Sequence, residues 1–263
     1  MKINQRERLK DFLEEKFHEF HKMDFVKDDP ISIPHQFHSK EDIEISAFLT
    51  SILSWGRRAT IIQKANLLME IMENSPYDFV MNFRDKDLKK ASSFVHRTFN
   101  GDDLIAFMHA LRHVYANLGG LEQAFYQEDQ IAMDVRISNF KKHFFAVPHL
   151  SRTQKHISDP AKGSTAKRIL MFLRWMVRKS VKGVDFGLWN KISASELLLP
   201  LDVHTARVSR KLKMLHRKQN DWKAVVEVSE LLKSFDPEDP IKYDYALFGL
   251  GVNQQLESLI VID

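Results

Sequence analysis

The chain has 263 residues, 44% of them hydrophobic, which is enough to build a sizeable core and excludes wholesale disorder. The formal net charge is +4, a mild excess compatible with a nucleic-acid partner without requiring one. Cysteine is absent, which excludes disulfides, thiolate zinc sites and cysteine-ligated iron–sulfur clusters.

The polar start, Met1 to Arg8, has no apolar stretch behind it, so no secretory signal is expected. No run of 18 apolar residues exists, so no membrane span is expected either. The expectation is a cytoplasmic protein with no membrane partner. Helical periodicity dominates throughout. Leu9, Phe12, Leu13, Phe17 and Phe20 mark a first amphipathic helix ending near Met23. Residues 24–38 read as loop, because Pro30 and Pro34 break a helix there. Ser39 is a natural N-cap for a helix that is apolar almost all round and stops at Trp55-Gly56. The next helix is expected from Thr60 to Met72, and further ones over 76–83, 102–116, 119–126 and 129–145.

Residues 149–162 read as loop, with a helix beginning near Gly163. A short element is expected around Phe186 to Trp189. Pro200-Leu201-Asp202 leads into a helix ending near Leu215. Another helix covers 221–235, and the last ones contain Tyr245 to Leu250 and Leu256 to Ile260.

Three stretches can carry chemistry. Asp202 opens a helix after Pro-Leu. Read alone it is an N-cap, accepting from backbone N–H groups. The same geometry fixes an ionised carboxylate, which beside a nucleotide could stabilise a sugar cation or activate a nucleophile. His204, two residues on, reads either as a hydrogen-bonded helix residue or as part of that site. The second stretch starts at Gly163-Ser164-Thr165. On the helix behind it, Lys167, Met171, Arg174 and Arg178 share one stripe, and Ile169, Phe172, Leu173 and Met176 the opposite one. The basic stripe is either plainly solvated or a phosphate-binding face, with the backbone of Gly163 and Ser164 as donors. The third stretch places Arg57 and Arg58 beside Trp55 between two helices, as an exposed turn or as a contact to bases and phosphates. Twelve histidines yield no zinc-binding pattern, so no metal site is expected; His18 and His21 sit on what reads as ordinary helix surface.

Taken together, Asp202-Val203-His204 with Arg207-Val208 resembles the V-D-T-H-x-x-R-V segment of the endonuclease III-type helix-hairpin-helix DNA glycosylases. The stretch from Glu44 to Ala65 is similar to the early helix pair of the same enzymes, with Lys64-Ala65 in the second helix. The resemblance covers roughly residues 40–215. The whole chain looks closer still to an uncharacterised bacterial family related to that superfamily. Its marks are Phe172-Leu173-Arg174-Trp175-Met176-Val177-Arg178, Val184-Asp185-Phe186-Gly187-Leu188-Trp189 and Pro200-Leu201-Asp202-Val203-His204-Thr205.

The superfamily hairpin usually reads Leu-Pro-Gly-x-Gly, whereas this chain has Pro160-Ala161-Lys162-Gly163-Ser164. Val184 occupies the place of the lysine in the bifunctional endonuclease III-type enzymes. Lys167, 35 residues before Asp202, resembles the wider arrangement of the archaeal 8-oxoguanine glycosylases.

The resemblance implies an all-α, two-lobed helix-hairpin-helix glycosylase-like fold. A middle lobe would cover residues 40–150, and residues 1–39 with 151–263 would form the second. It implies base excision from double-stranded DNA by base flipping, with Asp202 and Lys167 catalytic and no cofactor. Trp55 or Trp175 would stack on the extruded base. Arg57, Arg58, Gly163, Ser164, Arg174, Arg178, His204 and Arg207 would contact DNA. The alternatives are a nucleic-acid-binding module that lost the chemistry, and a helical scaffold for an acidic partner.

Overall fold

A computed structural model describes residues 3–126 and 131–252. The described residues are helical, apart from turns and one two-stranded hairpin. In chain order the helices are α1 (Ile3–Phe20), α2 (Met23–Lys27), α3 (Lys40–Leu53), α4 (Arg58–Ile71), α5 (Pro76–Asn82) and α6 (Lys89–Ser92). The hairpin β1 (Val95–His96) and β2 (Phe99–Asn100) follows. Then come α7 (Gly101–Asn117), α8 (Leu121–Tyr126), α9 (Met133–Phe144), α10 (Lys167–Val177), α11 (Val203–Lys211), α12 (Trp222–Lys233) and α13 (Asp244–Val252). The expected helix over Leu256 to Ile260 lies outside the described residues. No helix among the described residues is long and apolar enough to cross a membrane.

The chain divides into two compact units: Met1–Phe25 with Lys162–Asp263, and Val26–Ala161. In the first, α1 and α11 both pack on α13. The approach of α1 to α13 depends on Gly249, where a Cβ would overlap the Phe20 ring. In the second, the core is a cluster of rings. Phe125 stacks on Phe140 at 3.7 Å, and Phe48 and Phe107 meet Phe144 at 5.3 and 5.0 Å. Asp103 closes this unit. It caps α7 through a reciprocal pair with Asn100 and accepts from Thr153 Oγ1 at 2.7 Å and Arg152 Nη1 at 2.9 Å. Those bonds bring the turn Ser151–His156 onto the start of α7.

Several boundaries differ from the sequence reading, each for a local reason. The segment expected as loop over 24–38 holds α2 and two 3-10 turns, Pro30–Ser32 and Pro34–Gln36. Each turn begins on a proline, whose missing N–H is not needed at that position. Helix α3 does take Ser39 as its cap, with the hydroxyl accepting from Asp42 N at 3.2 Å, and it is buried nearly all round. Helix α10 starts at Lys167, not near Gly163, because Gly163 (φ 81°) and Ala166 (φ 46°) are left-handed. The stretch from Phe186 to Trp189 is no helix or strand. It is pinned against the end of α10 by Phe186 N to Trp175 O and Trp189 N to Met176 O, both 2.9 Å.

Candidate functional site in the unit of α10, α11 and α13

Helix α11 begins where Asp202 caps it. Asp202 Oδ1 accepts from His204 N at 2.8 Å, Thr205 N at 2.9 Å and Thr205 Oγ1 at 3.2 Å. The Thr205 hydroxyl in turn accepts from Asp202 N at 2.8 Å, completing a capping box. All these bonds fall on Oδ1, so the half-buried carboxylate keeps Oδ2 uncommitted among the described residues. His204 and Arg207 are exposed on the first turns of the same helix.

Lys167 opens α10. It is half-buried, and its Nζ lies 3.3 Å from Met171 Sδ. Before it, Ser164 Oγ accepts from Ala166 N at 3.2 Å, and Gly163 O accepts from Trp222 N at 3.2 Å. The amides of Ser164 and Thr165 have no acceptor among the described residues.

Lys167 and Asp202 meet electrostatically at a third group, Asp244, the first residue of α13. Burial pushes the Asp244 carboxyl up to about 6. Arg174 and Lys167 pull against that shift, and the like charge of Asp202 adds to it. Lys167 and Asp202, from two separate elements, thus each lie close enough to Asp244 to act on its carboxyl within one unit.

The expected basic face of α10 is not a face. Arg174 and Arg178 are buried at 5% and 3% exposure. Arg174 binds Asp244 through Nη1 and Asp185 through Nε at 3.3 Å. Arg178 binds Asp185 through Nη1 at 2.9 Å and Asp239 through Nη2 at 2.9 Å. The Arg174 guanidinium also lies 4.4 Å from the Tyr245 ring centre. These arginines hold their own unit together and have no free edge for DNA phosphates. Trp175 is fully buried, so it is no plate for an extruded base.

Trp55, Arg57 and Arg58 belong to the other unit. Arg57 is exposed and Arg58 half-buried at the start of α4. The Trp55 indole is already covered: the Arg97 guanidinium sits over it at 4.3 Å.

Residues 29–253 match the family described as Protein of unknown function (DUF2400). The chain belongs to this family. No curated protein and no solved structure matches the chain.

Sequence reasoning missed Asp185, Asp239, Asp244, His21 and Arg97. A usable signal existed for two of them: Asp185 lies between Val184 and Phe186, and Asp244 between Tyr243 and Tyr245, surroundings in which a carboxylate needs a partner. His21, read as ordinary helix surface, is instead 3% exposed. It stacks on Phe17 at 4.8 Å, and its Nε2 lies 2.9 Å from Ser180 Oγ.

Burial and the neighbouring Arg178 charge push the His21 imidazole down to about 4 from 6.5. The unfolded chain therefore takes up this proton at higher pH than the folded one. The stability that neutral His21 contributes is complete above about 6.5 and is lost as pH falls toward 4. Asp244, raised by burial, titrates with the opposite sign below about 6, so a difference measurement is needed. The melting-temperature gap between wild type and His21→Phe should shrink steadily across that window. A gap that stays constant from neutral pH to pH 4 contradicts the assignment.

Proposed function

We propose that the protein removes a damaged base from duplex DNA, as a helix-hairpin-helix-type glycosylase with lyase capacity. One observation carries the reading. Lys167, at the head of a helix behind a left-handed turn, and Asp202, capping another helix with one oxygen uncommitted, both act on buried Asp244 in the same unit. The superfamily resemblance drawn from the sequence assigns the amine and the carboxylate to these same two residues.

In this reading the target nucleotide is flipped from the stack. Lys167, a cation at rest, first gives its ammonium proton to solvent; the free Nζ attacks C1′ as the bond from C1′ to the base nitrogen breaks, and the proton that this attack releases from Nζ goes to the departing base. Asp202 stabilises the positive charge that develops on the sugar. Opening of the ring then gives an iminium between Nζ and C1′. Loss of a C2′ proton expels the 3′ phosphate, and water hydrolyses the remaining imine. Lys167 and Asp202 supply nucleophile and anion, so the proposed reaction draws on no cofactor. The unpaired amides of Ser164 and Thr165 support a phosphate contact just ahead of α10. Exposed His204 and Arg207 support others along α11.

The test is a panel of duplexes carrying oxidised, deaminated or alkylated bases, assayed at low salt for released base and for strand cleavage. Release from at least one lesion, with no release from undamaged duplex, is expected. Binding without release from any lesion would leave a DNA-binding module. Absence of binding would leave a helical scaffold for an acidic partner.

A further inference from the structure

The hairpin β1–β2 has no function in the site above, yet its turn is built at a cost. Val95 pairs with Asn100 and His96 with Phe99, leaving Arg97 and Thr98 as a two-residue turn. Arg97 is left-handed at φ 57°, a conformation that is strained for a non-glycine residue. Glycine would suit this position better. The side chain instead reaches over Trp55, its guanidinium carbon 4.3 Å from the ring centre. Gly56 makes room for it: a Cβ there would sit 2.8 Å from Arg97 Nη1, and Gly56 itself is at φ 116°.

The hairpin is also locked to the end of α3. His96 is 2% exposed and meets the Trp55 indole edge-on, with ring centres 6.4 Å apart. Burial pushes the His96 imidazole down, and the backbone of Leu53 and Trp55 opposes that shift. Two buried ring nitrogens, Trp55 Nε1 and His96 Nε2, lack any acceptor among the described residues.

What this machinery presents is positive charge. Arg97 is exposed, with no carboxylate at ion-pair distance among the described residues, and the same holds for exposed Arg57 on the adjoining turn. Lys64 of α4 is near enough to act on His96 with the same sign as Arg97. A stacked guanidinium keeps its N–H edges outward in a fixed fork, the geometry that suits a phosphate.

We propose that Arg97, held on Trp55 and flanked by Arg57, is a phosphate clamp for the backbone of duplex DNA. Trp55 acts by orienting Arg97, and its own face is not offered to a base. The inference rests on the reading of the protein as DNA-binding and adds a contact from a separate element. Charge complementarity selects the partner: cations without carboxylates, pre-ordered by an aromatic plate, match a run of phosphodiesters.

The experiment is fluorescence anisotropy with a short unmodified duplex over a salt series, alongside base release from the lesion panel. Arg97→Gly is the informative variant, because glycine tolerates the left-handed backbone and the fold is kept. Its affinity should fall about tenfold at low salt, and its salt slope should drop by about one. Arg97→Lys keeps the charge but not the planar stack and should fall between the two.

Wild-type affinity and slope in Arg97→Gly would overturn the clamp while leaving the glycosylase reading intact. A wild-type protein that ignores duplex DNA would overturn both. Wild-type binding to polyglutamate as tight as to DNA, lost in Arg97→Gly, would overturn the DNA assignment in favour of an acidic polypeptide.

Discussion

Asp202→Asn is expected to lower base release by about 100- to 1000-fold while leaving DNA affinity and the melting temperature nearly unchanged. The cap bonds from His204 N and Thr205 N end on one carboxylate oxygen, and the carbonyl of asparagine can receive them in the same place. What the variant lacks is the negative charge. Asp202→Ala separates the two roles, since it loses the cap as well and should cost a further ~0.5–2 kcal/mol of stability. Single-turnover release on the best lesion of the panel measures the first effect, and thermal melting the second. Undiminished release by Asp202→Asn would reduce Asp202 to a plain helix cap.

The largest stability effect should come from Asp185→Ala. Asp185 is 2% exposed and is shared by Arg174 and Arg178, with Arg174 Nε at 3.3 Å and Arg178 Nη1 at 2.9 Å. Removing it leaves two charges in the interior with one partner fewer each. Breaking such a buried pair costs about 3–5 kcal/mol, or roughly 10 °C of melting temperature for a chain this size. Asp239→Ala is the control. Among the described residues its carboxylate meets Arg178 alone, and it is partly open to water, so solvent can replace it and the loss should be smaller. Equal, small losses in both variants would mean that the network contributes little.

These expectations mark where the sequence is readable. Helical periodicity placed α3, α7 and α12 nearly to the residue, because each has a capping side chain at its start: Ser39, Asn100 and Asp221. The Asp202 cap was legible for the same reason. The polarity of α10 was not. Arg174 and Arg178 occupy one stripe at helical spacing, and a stripe of cations looks the same whether water or carboxylates face it. The deciding residues, Asp185, Asp239 and Asp244, come from other segments, and no local pattern ties them to α10. The Arg97–Trp55 contact was hidden for a similar reason. It joins residues 42 positions apart across a two-residue turn that carries no glycine.

If Lys167 is the nucleophile, borohydride reduction of the protein mixed with a duplex containing a single abasic site reveals it without any dependence on the unknown base. A covalent protein–DNA adduct is expected, with peptide mapping placing the linkage on Lys167 and no adduct forming with Lys167→Gln, since only a primary amine gives a reducible imine. A wild-type protein that binds the abasic duplex without forming an adduct, or one that is trapped through a different lysine, would contradict the account.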